Sequence, residues 1–452
     1  MCGIFGSVSN QDVLRELTLG LYDLQHRGEQ GAGVVIFNGR DYWVRKERGL
    51  VTQVFPEESI KEVSGNFGIG HTRYSTIGDL SEDEMFSNIQ PLGGEFRGDY
   101  FWVTHNGNLV DLNFLRREAE ERGYCFKTSS DTEVIVGLLA TSQQKDFLEA
   151  LLDVLPRLKG AFSLVVLYKD RVIGVRDKFG IRPLCFGRNE TSFILASESC
   201  AFHTVQGRFL FDIKPGEIIV LDENGIHQQF IWAENPQLKI CIFEFIYFAR
   251  PDSIIDGRSV YSYRREAGYK LAKEHPAEAD IVIAVPASGE IYDLGFSEAS
   301  EIPLEKGIFR NIYFATRTFL THRGTDRAAL QRIKLHPLRK VIHEKRVVVT
   351  EDSIIRANVI PAVVAMLREE GAREVHVRVG SSPICYPCHL GVDMATRGEL
   401  IAASLSAEGV RKYIQADTLG YLSTEGMVEA SGFQRENLTM GCFTGEYAVS
   451  PE

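Results

Sequence analysis

The sequence lacks an excess of basic residues and lacks long apolar segments. Its 50 Lys and Arg are outnumbered by 61 Asp and Glu, which gives a formal net charge of −11. Such a chain is poorly suited to a phosphate backbone, so we expect no nucleic-acid partner, although a local basic patch can still hold a small anion. The first residues have neither the basic segment nor the apolar run of a signal peptide, and no stretch of about 18 apolar residues follows. We therefore expect a cytoplasmic protein without membrane contact.

Cysteine is also scarce, with 8 residues in a chain of 452. Cytoplasmic thiols are kept reduced, so each cysteine is interpreted as a packing, catalytic or metal-binding residue rather than half of a disulfide. The chain exceeds the roughly 250–300 residues at which a single core stops growing, and its 44% hydrophobic residues can fill two cores. Two domains are expected.

The two halves of the chain differ in pattern. Short apolar runs broken by Gly and Asn predict a strand-rich α+β layer structure in the first half. The chain becomes polar and rich in turn residues around 215–217 and 232–236, so we place the boundary near residue 235. Beyond it, helical segments alternate with continuous β-branched runs, which predicts a parallel sheet covered on both faces. The predicted domains are residues 2–235 and 236–452.

Cys2 is the strongest candidate nucleophile. Removal of Met1 would leave a free α-amine beside the thiol, and an amine with a reference pKa of ~7.7–8.0 can take the thiol proton near neutral pH. Nucleophile and base would then come from one residue. The alternative is that Cys2 is a small buried residue at the end of a first strand.

Three further segments match the needs of glutamine hydrolysis. Asn106 offers a side-chain amide next to Gly107, whose N–H is unshielded, and both could stabilise an oxyanion. Arg73 could bind the α-carboxylate of glutamine, and Asp131 could bind its α-ammonium. Each has an ordinary alternative: Asn-Gly as a hairpin turn, the arginine as a surface ion pair, and Ser-Asp as a helix cap.

These segments resemble a known family. MCGIFG, QHRG, GHTRYST, THNGNL and SSDTEV are similar to the glutaminase domain of class II, N-terminal-nucleophile amidotransferases. Further along, RDKFGIRPL, ASESC and CIFEFIYFARPDS resemble the glutamine phosphoribosylpyrophosphate amidotransferase family, which begins purine synthesis. The resemblance implies a four-layer αββα sandwich followed by an α/β phosphoribosyltransferase-type domain. It also implies an oxyanion hole at Asn106 and Gly107, a glutamine clamp at Arg73 and Asp131, and Arg27 in a loop that closes over glutamine. By the same analogy, the protein would be a homo-oligomer.

The segment around 347–360 carries the expected acceptor site. A strand that ends in acidic residues and leads through a small-residue loop into a helix can hold a ribose, a metal such as Mg²⁺ and a phosphate. Here Glu351, Asp352 and Ser353 occupy that position, whereas Ala357 to Ile360 replace the Gly-Thr-Thr-Ser of the family pattern. Burying a phosphate against Val359 and Ile360 should cost several kcal/mol, so we expect the acceptor to have changed.

Two further segments of the presumed acceptor site also depart from the family. The family's VPDSG reads VPASG at 285–289, and its KLNPLR reads KLHPLR at 334–339. Lys334 and Arg339 in the second segment are candidate acceptor contacts.

Three cysteines match an iron-sulfur site found in one branch of the family. Cys241, Cys388 and Cys442 coincide with ligands of a [4Fe-4S] cluster, but the fourth position is Thr439. Cys385 is a candidate replacement for the missing ligand. The alternative is that all of these thiols are buried structural residues left after loss of the cluster.

Three functions remain open at this point. The preferred hypothesis is a glutamine amidotransferase that delivers ammonia to a changed, activated sugar-like acceptor. The second is a genuine amidophosphoribosyltransferase that makes 5-phosphoribosylamine from phosphoribosyl pyrophosphate. The third is a vestigial regulatory or binding protein with glutaminase activity at most.

Overall fold

The first half of the chain folds around two antiparallel sheets. The computed structural model describes residues 1–74, 82–311 and 332–451. One sheet has seven strands, in the spatial order Arg208–Asp212, Cys185–Arg188, Ser192–Ala196, Gly3–Ser9, Phe67–Arg73, Gly31–Phe37 and Tyr42–Arg48. The other has six, in the order Gly225–Ile231, Glu217–Asp222, Arg171–Arg176, Lys159–Tyr168, Asp99–Val110 and Leu92–Phe96.

The two sheets pack face to face and carry helices on their outer sides. Ile4, Ile69, Val165 and Ile219 belong to the apolar layer between the sheets. The central strands are buried on both faces, which explains why their sequences read as continuous apolar runs. The helices of this half are Leu14–Asp23, Val51–Val54, Glu57–Ile60, Glu82–Ser87, Asn113–Glu121, Asp131–Ala140, Phe147–Val154 and Ala201–Thr204, with 3₁₀ turns at Gln25–Arg27 and Leu155–Arg157. This is the predicted αββα sandwich.

The second half contains the predicted parallel sheet. Its four strands lie in the order Ile281–Ala284, Arg346–Glu351, Glu374–Val379 and Thr418–Tyr421, and every neighbouring pair is parallel. The helices are Val260–Glu274, Tyr292–Ser300, Arg339–Ile342, Ile360–Glu369, Ile401–Ser404, Ala407–Ile414, Thr424–Ser431 and Gly441–Thr444. The shorter helical segments are the π-helix Glu244–Phe248 and the 3₁₀ segments Arg397–Glu399 and Arg435–Asn437. Three small two-stranded sheets pair Ile240–Cys241 with Leu438–Thr439, Ile254–Ile255 with Arg258–Ser259, and Ile308–Arg310 with Leu335–Pro337.

The junction between the halves is continuous and apolar. The last strand of the sandwich ends at Ile231 and the next strand begins at Ile240, so the predicted boundary at 235 falls between them. Met1, Ala161 and Ile181 of the first half share one buried cluster with Ile242 and Leu390 of the second. No helix within the described ranges is long and apolar enough to cross a membrane.

Candidate active site

Cys2 lies at the start of the central strand Gly3–Ser9 and lines a cavity of about 580 Å³. The backbone N–H of Tyr74 donates to its Sγ at 3.5 Å, and the thiol faces the Tyr74 carbonyl at 3.7 Å. Tyr74 directly follows the neighbouring antiparallel strand Phe67–Arg73. Sheet pairing therefore brings the thiol to the end of the GHTRYST motif, of which Ser75 and Thr76 lie outside the described residues.

Asn106 and Gly107 lie beside this cavity on the strand Asp99–Val110. The Asn106 side chain is fully buried, yet neither its oxygen nor its nitrogen has a hydrogen-bond partner among the described residues. Leaving such a group unsatisfied costs about 1–3 kcal/mol, so it marks a place where a ligand atom can bind. Gly107 has φ +152°, and a Cβ there would lie 1.9 Å from the Ala161 carbonyl oxygen. Only glycine fits, and the hairpin-turn alternative is excluded because both residues are inside a strand.

Arg73 and Asp131 line the same cavity. A guanidinium N–H of Arg73 donates to the Asn88 carbonyl at 2.7 Å, while its Nε has no partner among the described residues. Asp131 begins the helix Asp131–Ala140, and the Ser130 side chain caps that helix by accepting from the Thr132 N–H. The cap explanation is thus correct for Ser130, and it leaves Asp131 facing the cavity.

A buried histidine holds Asp131 in its charged form. His105 Nδ1 lies 3.6 Å from Asp131 Oδ2, and the Leu109 N–H donates to the same oxygen at 3.0 Å. Burial alone would raise the pKa of Asp131, but the His105 charge and these hydrogen bonds outweigh it, and the pKa lies below its ordinary value. The sequence prediction missed His105. Its only signal was its position next to Asn106 in the motif.

Arg27 does not lie in a loop that closes over glutamine, so this prediction was wrong. Its side chain is buried on the 3₁₀ turn Gln25–Arg27, where Nε donates to the Cys2 carbonyl at 2.9 Å. Its other nitrogens pair with Glu198 at 2.5 Å and with Glu244 at 3.0 Å. Two buried carboxylates therefore fix the guanidinium behind the nucleophile.

The second half completes the wall of the cavity. Cys388, His389 and Gly391 line it together with Cys2. Asn108 donates to the His389 carbonyl at 2.9 Å, and a Cβ on Gly391, which has φ +109°, would lie 3.1 Å from the carbonyl of Gly107. The site therefore lies at the contact between the two halves.

The acidic pair Glu351 and Asp352 lies at the carboxyl end of the parallel strand Arg346–Glu351. Both are buried, and the pKa of each is raised, mainly by burial; that of Asp352 lies at about 6. The Ser353 hydroxyl donates to Asp352. A pair of close carboxylates with raised pKa values suits a divalent cation that arrives with a phosphorylated substrate, because Mg²⁺ uses one or two carboxylates plus phosphate oxygens.

The conformation of the loop after Asp352 contradicts part of the expectation that the acceptor has changed. Ile354, Ala357 and Ile360 are buried in the core of the parallel sheet, so two of the replaced side chains point away from the loop's outer face. Ile360 begins the helix Ile360–Glu369, whose buried side packs on the sheet. The predicted contact of Ile360 with a phosphate was therefore wrong. Of the four replaced positions, only 358 and 359 remain at least partly accessible.

The loop keeps the backbone of a glycine-containing turn. Ala357 has φ +50°, a left-handed conformation that favours glycine. No backbone N–H from Ser353 to Val359 donates to a backbone carbonyl of the described residues. Unpaired amides ahead of a helix can bind an anion, so the loop retains a means of holding phosphate without side-chain hydroxyls.

The two cationic candidates are placed differently from the prediction. Arg339 is exposed and lies 3.7 Å from Glu370, just past the carboxyl end of the helix Ile360–Glu369. It is therefore a helix length, roughly 15 Å, from the acceptor loop, and its predicted contact with the acceptor was wrong. Lys334 precedes the strand Leu335–Pro337, and its carbonyl accepts from the Asn311 N–H at 2.8 Å. Its acceptor role stays a prediction.

The cysteines do not fit a four-thiolate cluster. Burial and the neighbouring Cys388 raise the pKa values of Cys241 and Cys442, so these three thiols lie near one another. Cys385 instead donates to the Ala402 carbonyl at 3.4 Å, and the buried Thr439 hydroxyl has no partner among the described residues. In the described part of the chain no group of three or more His, Cys, Asp and Glu residues is arranged to hold a metal ion. The Cys385 backbone N–H donates to the Cys442 carbonyl at 3.1 Å, so this residue lies beside Cys442 with its thiol directed to Ala402, and its role as fourth ligand stays a prediction.

Comparisons with known proteins agree with this architecture. A family model described as a glutamine amidotransferase domain matches residues 72–204. The amidophosphoribosyltransferase of Methanocaldococcus jannaschii is 42% identical over 99% of this chain and 97% of that protein, and that of Methanothermobacter thermautotrophicus is 40% identical over 99% and 94%. The solved glutamine phosphoribosylpyrophosphate amidotransferase from B. subtilis, complexed with ADP and GMP, has a TM-score of 0.92 at 38% identity over 99% of this chain and 98% of that one. With such relatives along its whole length, this chain is a glutamine amidotransferase that belongs to the amidophosphoribosyltransferase family.

Proposed function

We propose that this enzyme hydrolyses glutamine at Cys2 and transfers the ammonia to C1 of phosphoribosyl pyrophosphate. The products would be glutamate, 5-phosphoribosylamine and pyrophosphate. The observation that supports this best is the shared cavity, which is lined by Cys2, Gly107 and Asp131 of the first half and by Cys388, His389, Gly391 and Val392 of the second. Ammonia formed at Cys2 would be released against the second domain. A cytoplasmic location and a homo-oligomeric state stay predictions.

The first half of the reaction uses Cys2 as both nucleophile and base. Once Met1 is removed, the Cys2 amine takes the thiol proton and the sulfur attacks the amide carbon of glutamine. The Gly107 N–H and the unpaired Asn106 amide stabilise the developing oxyanion. The protonated amine returns its proton to the leaving ammonia, and water then hydrolyses the thioester to glutamate.

The environment of the N-terminus suits this base. Burial lowers the pKa of the Met1 amine well below its ordinary value, and the charges of Arg27 and Arg182 lower it further. After Met1 is removed, the Cys2 amine lies one residue further along the chain, in the same surroundings. The same causes would favour its neutral form, which is the form that accepts a proton.

Arg73 and Asp131 would hold the glutamine. The guanidinium suits the α-carboxylate, and the ionised Asp131 suits the α-ammonium. Because the pKa of Asp131 is lowered, its negative charge is present throughout the neutral range.

The acceptor would bind at the carboxyl end of the parallel sheet. Loop amides ahead of Ile360 would hold the 5′-phosphate, and Glu351 and Asp352 would face the ribose hydroxyls. The loop Val285–Gly289 follows the strand Ile281–Ala284 and packs closely on the neighbouring strand Arg346–Glu351. A Cβ on Gly289 would lie 2.0 Å from the Thr350 carbonyl oxygen. When bound, Mg²⁺ would neutralise the pyrophosphate leaving group.

A changed acceptor is the second candidate. Asn358 and Val359 replace two threonines of the family pattern in the accessible part of the loop, which removes two hydroxyl donors. The relatives' names and the buried orientation of Ala357 and Ile360 favour phosphoribosyl pyrophosphate. The relatives are enzymes, so the vestigial hypothesis has the least support.

Glutamate and pyrophosphate should be measured together, with and without phosphoribosyl pyrophosphate. Above a low basal release of glutamate, we expect both products in equal amounts and dependent on both substrates, and neither product from glutamine in Cys2→Ala. Glutamate release that ignores phosphoribosyl pyrophosphate, without pyrophosphate, would favour a changed acceptor. Absence of glutamate under all conditions would contradict the glutaminase assignment.

A further inference from the structure

A cluster of fully buried charges links the two halves behind Cys2. The side chains of Arg27, Arg182, Glu198 and Glu244 are all 0% exposed. Removing ions from water is costly, so such a cluster persists only where its members satisfy one another. Its two arginines lower the pKa of the N-terminal amine, whereas its two carboxylates take no part in the proposed steps of glutamine hydrolysis.

Glu244 is the member contributed by the second half. It begins the π-helix Glu244–Phe248, and its Oε1 accepts from Arg27 at 3.1 Å and from Arg182 at 3.0 Å. Both arginines belong to the sandwich. One carboxylate of the second domain therefore bridges two cations of the first.

The Arg27 side chain connects Glu244 to the backbone of the nucleophile Cys2. Arg27 Nε donates to the Cys2 carbonyl at 2.9 Å. Arg182 in turn donates to the Leu390 carbonyl at 2.5 Å, in the segment that faces the cavity. Glu244 thus fixes the arginine that holds the Cys2 backbone and the arginine that holds the opposite wall.

The same charges surround the amine that serves as the base. The Met1 amine is influenced by the Cys2 thiol, Arg27, Arg182 and Glu244, and it in turn acts on His71. Of these charges Glu244 is the only carboxylate. It raises the pKa of the amine, opposite to the effect of the two arginines, and it pairs with both of them, whereas Glu198 pairs with Arg27 alone.

We propose that Glu244 is a positioning residue for glutamine hydrolysis, acting through Arg27 on Cys2, so that the nucleophile is correctly placed only when the second domain is docked. This inference rests on the proposed glutaminase function of Cys2. It makes the second domain part of the glutaminase machinery, because a sandwich without that domain lacks the carboxylate that holds Arg27 and Arg182 together.

The test uses full-length protein whose N-terminal Cys2 is confirmed by mass spectrometry. Wild type, Glu244→Gln, Glu244→Asp and Asp256→Asn are compared. Asp256 is the matched control because it also lies in the second half and pairs with a buried arginine of the first, Arg176, at 2.7 and 2.8 Å, yet neither residue lines the cavity. Glutamate release and alkylation of Cys2 by a glutamine-analogue electrophile are measured from pH 5 to 9, and folding is checked by circular dichroism.

In Glu244→Gln, Arg182 loses its carboxylate partner and Arg27 keeps only Glu198, so the Cys2 amine should become less basic. The acid limb of the alkylation profile should move down by about one pH unit. Glutamate release should fall about 10- to 100-fold, because small displacements of a nucleophile have effects of that size. Asp256→Asn should keep the wild-type profile and rate.

Glu244→Asp keeps the negative charge on a shorter side chain, so it separates the effect of charge from that of side-chain length. It also provides a test if Glu244→Gln does not fold. Its charge should preserve the wild-type acid limb, while its shorter arm should lower the rate about 10-fold. A folded Glu244→Gln with the wild-type rate and profile, or a Glu244→Asp with the wild-type rate, would overturn the proposal. A wild type with no glutamate release and unreactive Cys2 would instead contradict the proposed function itself.

Discussion

The two chemical sites of this chain are built in different ways. The glutaminase site uses side chains that the fold already holds in place, such as the buried Asn106 amide beside the cavity and the ionised Asp131 that lines it. The acceptor loop presents mainly backbone, with two of its replaced side chains, Ala357 and Ile360, turned into the sheet core. A site made of side chains is sensitive to single substitutions, whereas a site made of backbone amides tolerates them. A departure from the family sequence should therefore impair function in the glutaminase site more than in the acceptor loop.

The largest expected effect is the loss of one activity while the other persists. Cys2→Ala should lower glutamate release by at least about 10³-fold, because the proposed thioester forms on Cys2 and the other thiol that lines the cavity, Cys388, has no α-amine to take its proton. Pyrophosphate release driven by ammonium chloride should persist, since the acceptor site does not need Cys2. Loss of both activities in a folded variant would show that the sites are not separable in this way.

The next effect concerns the oxyanion. Asn106→Ala should reduce glutamate release about 10²- to 10³-fold, the usual cost of removing one oxyanion donor. Its matched control is Asn358→Ala in the acceptor loop, which should leave basal glutamate release unchanged. A wild-type rate in Asn106→Ala would remove Asn106 from the oxyanion site.

A pH effect on stability follows from Asp352. Its pKa is raised from 3.8 to about 6, mainly by burial, so the folded state holds its proton more tightly than the unfolded state. The stability from this proton is fully present below pH 3.8 and is lost as the pH rises through about 6. Asp352→Asn should therefore raise the free energy of unfolding at pH 8 by roughly 1–3 kcal/mol and make little difference at pH 3.5.

Chemical denaturation at the two pH values would measure this difference. The same variant should lose pyrophosphate release while keeping basal glutamate release. A destabilised Asp352→Asn at pH 8 would show that the carboxylate is paired rather than strained in the folded protein.

The smallest expected effect tests the loop backbone. Ala357→Gly should raise the free energy of unfolding by about 0.5–1 kcal/mol, because Ala357 has φ +50°. Ala365→Gly, at an exposed position in the helix Ile360–Glu369, should lower it by a similar amount. Equal signs for the two variants in urea unfolding would contradict the left-handed conformation at 357.

Much of the fold and of the glutaminase site was predictable from the sequence. The apolar runs of the first half and the β-branched runs of the second form strands such as Gly31–Phe37 and Glu374–Val379, and the αββα sandwich followed by a parallel sheet is confirmed. Cys2, Asn106, Gly107, Arg73 and Asp131 lie together because each belongs to a motif at the end or middle of a strand or at the start of a helix. Local sequence carries that information.

The errors concern contacts between distant segments. Arg27 was placed in a mobile loop because its partners Glu198 and Glu244 lie 171 and 217 residues away. Ile360 was placed against a phosphate because a motif does not reveal which face of the following helix is buried. Arg339 was assigned from a family segment, and its side chain instead lies near Glu370. Cys385 was assigned from its spacing to Cys388; it lies beside Cys442, but its thiol donates to the Ala402 carbonyl.

The central claim is that ammonia from glutamine at Cys2 reaches phosphoribosyl pyrophosphate in the second domain. It is tested most directly by measuring pyrophosphate release with glutamine as the only nitrogen source and phosphoribosyl pyrophosphate as the only acceptor. The account predicts one pyrophosphate for each glutamate formed, and no pyrophosphate from Cys2→Ala unless ammonium is added. Glutamate without pyrophosphate from the wild-type enzyme would contradict it.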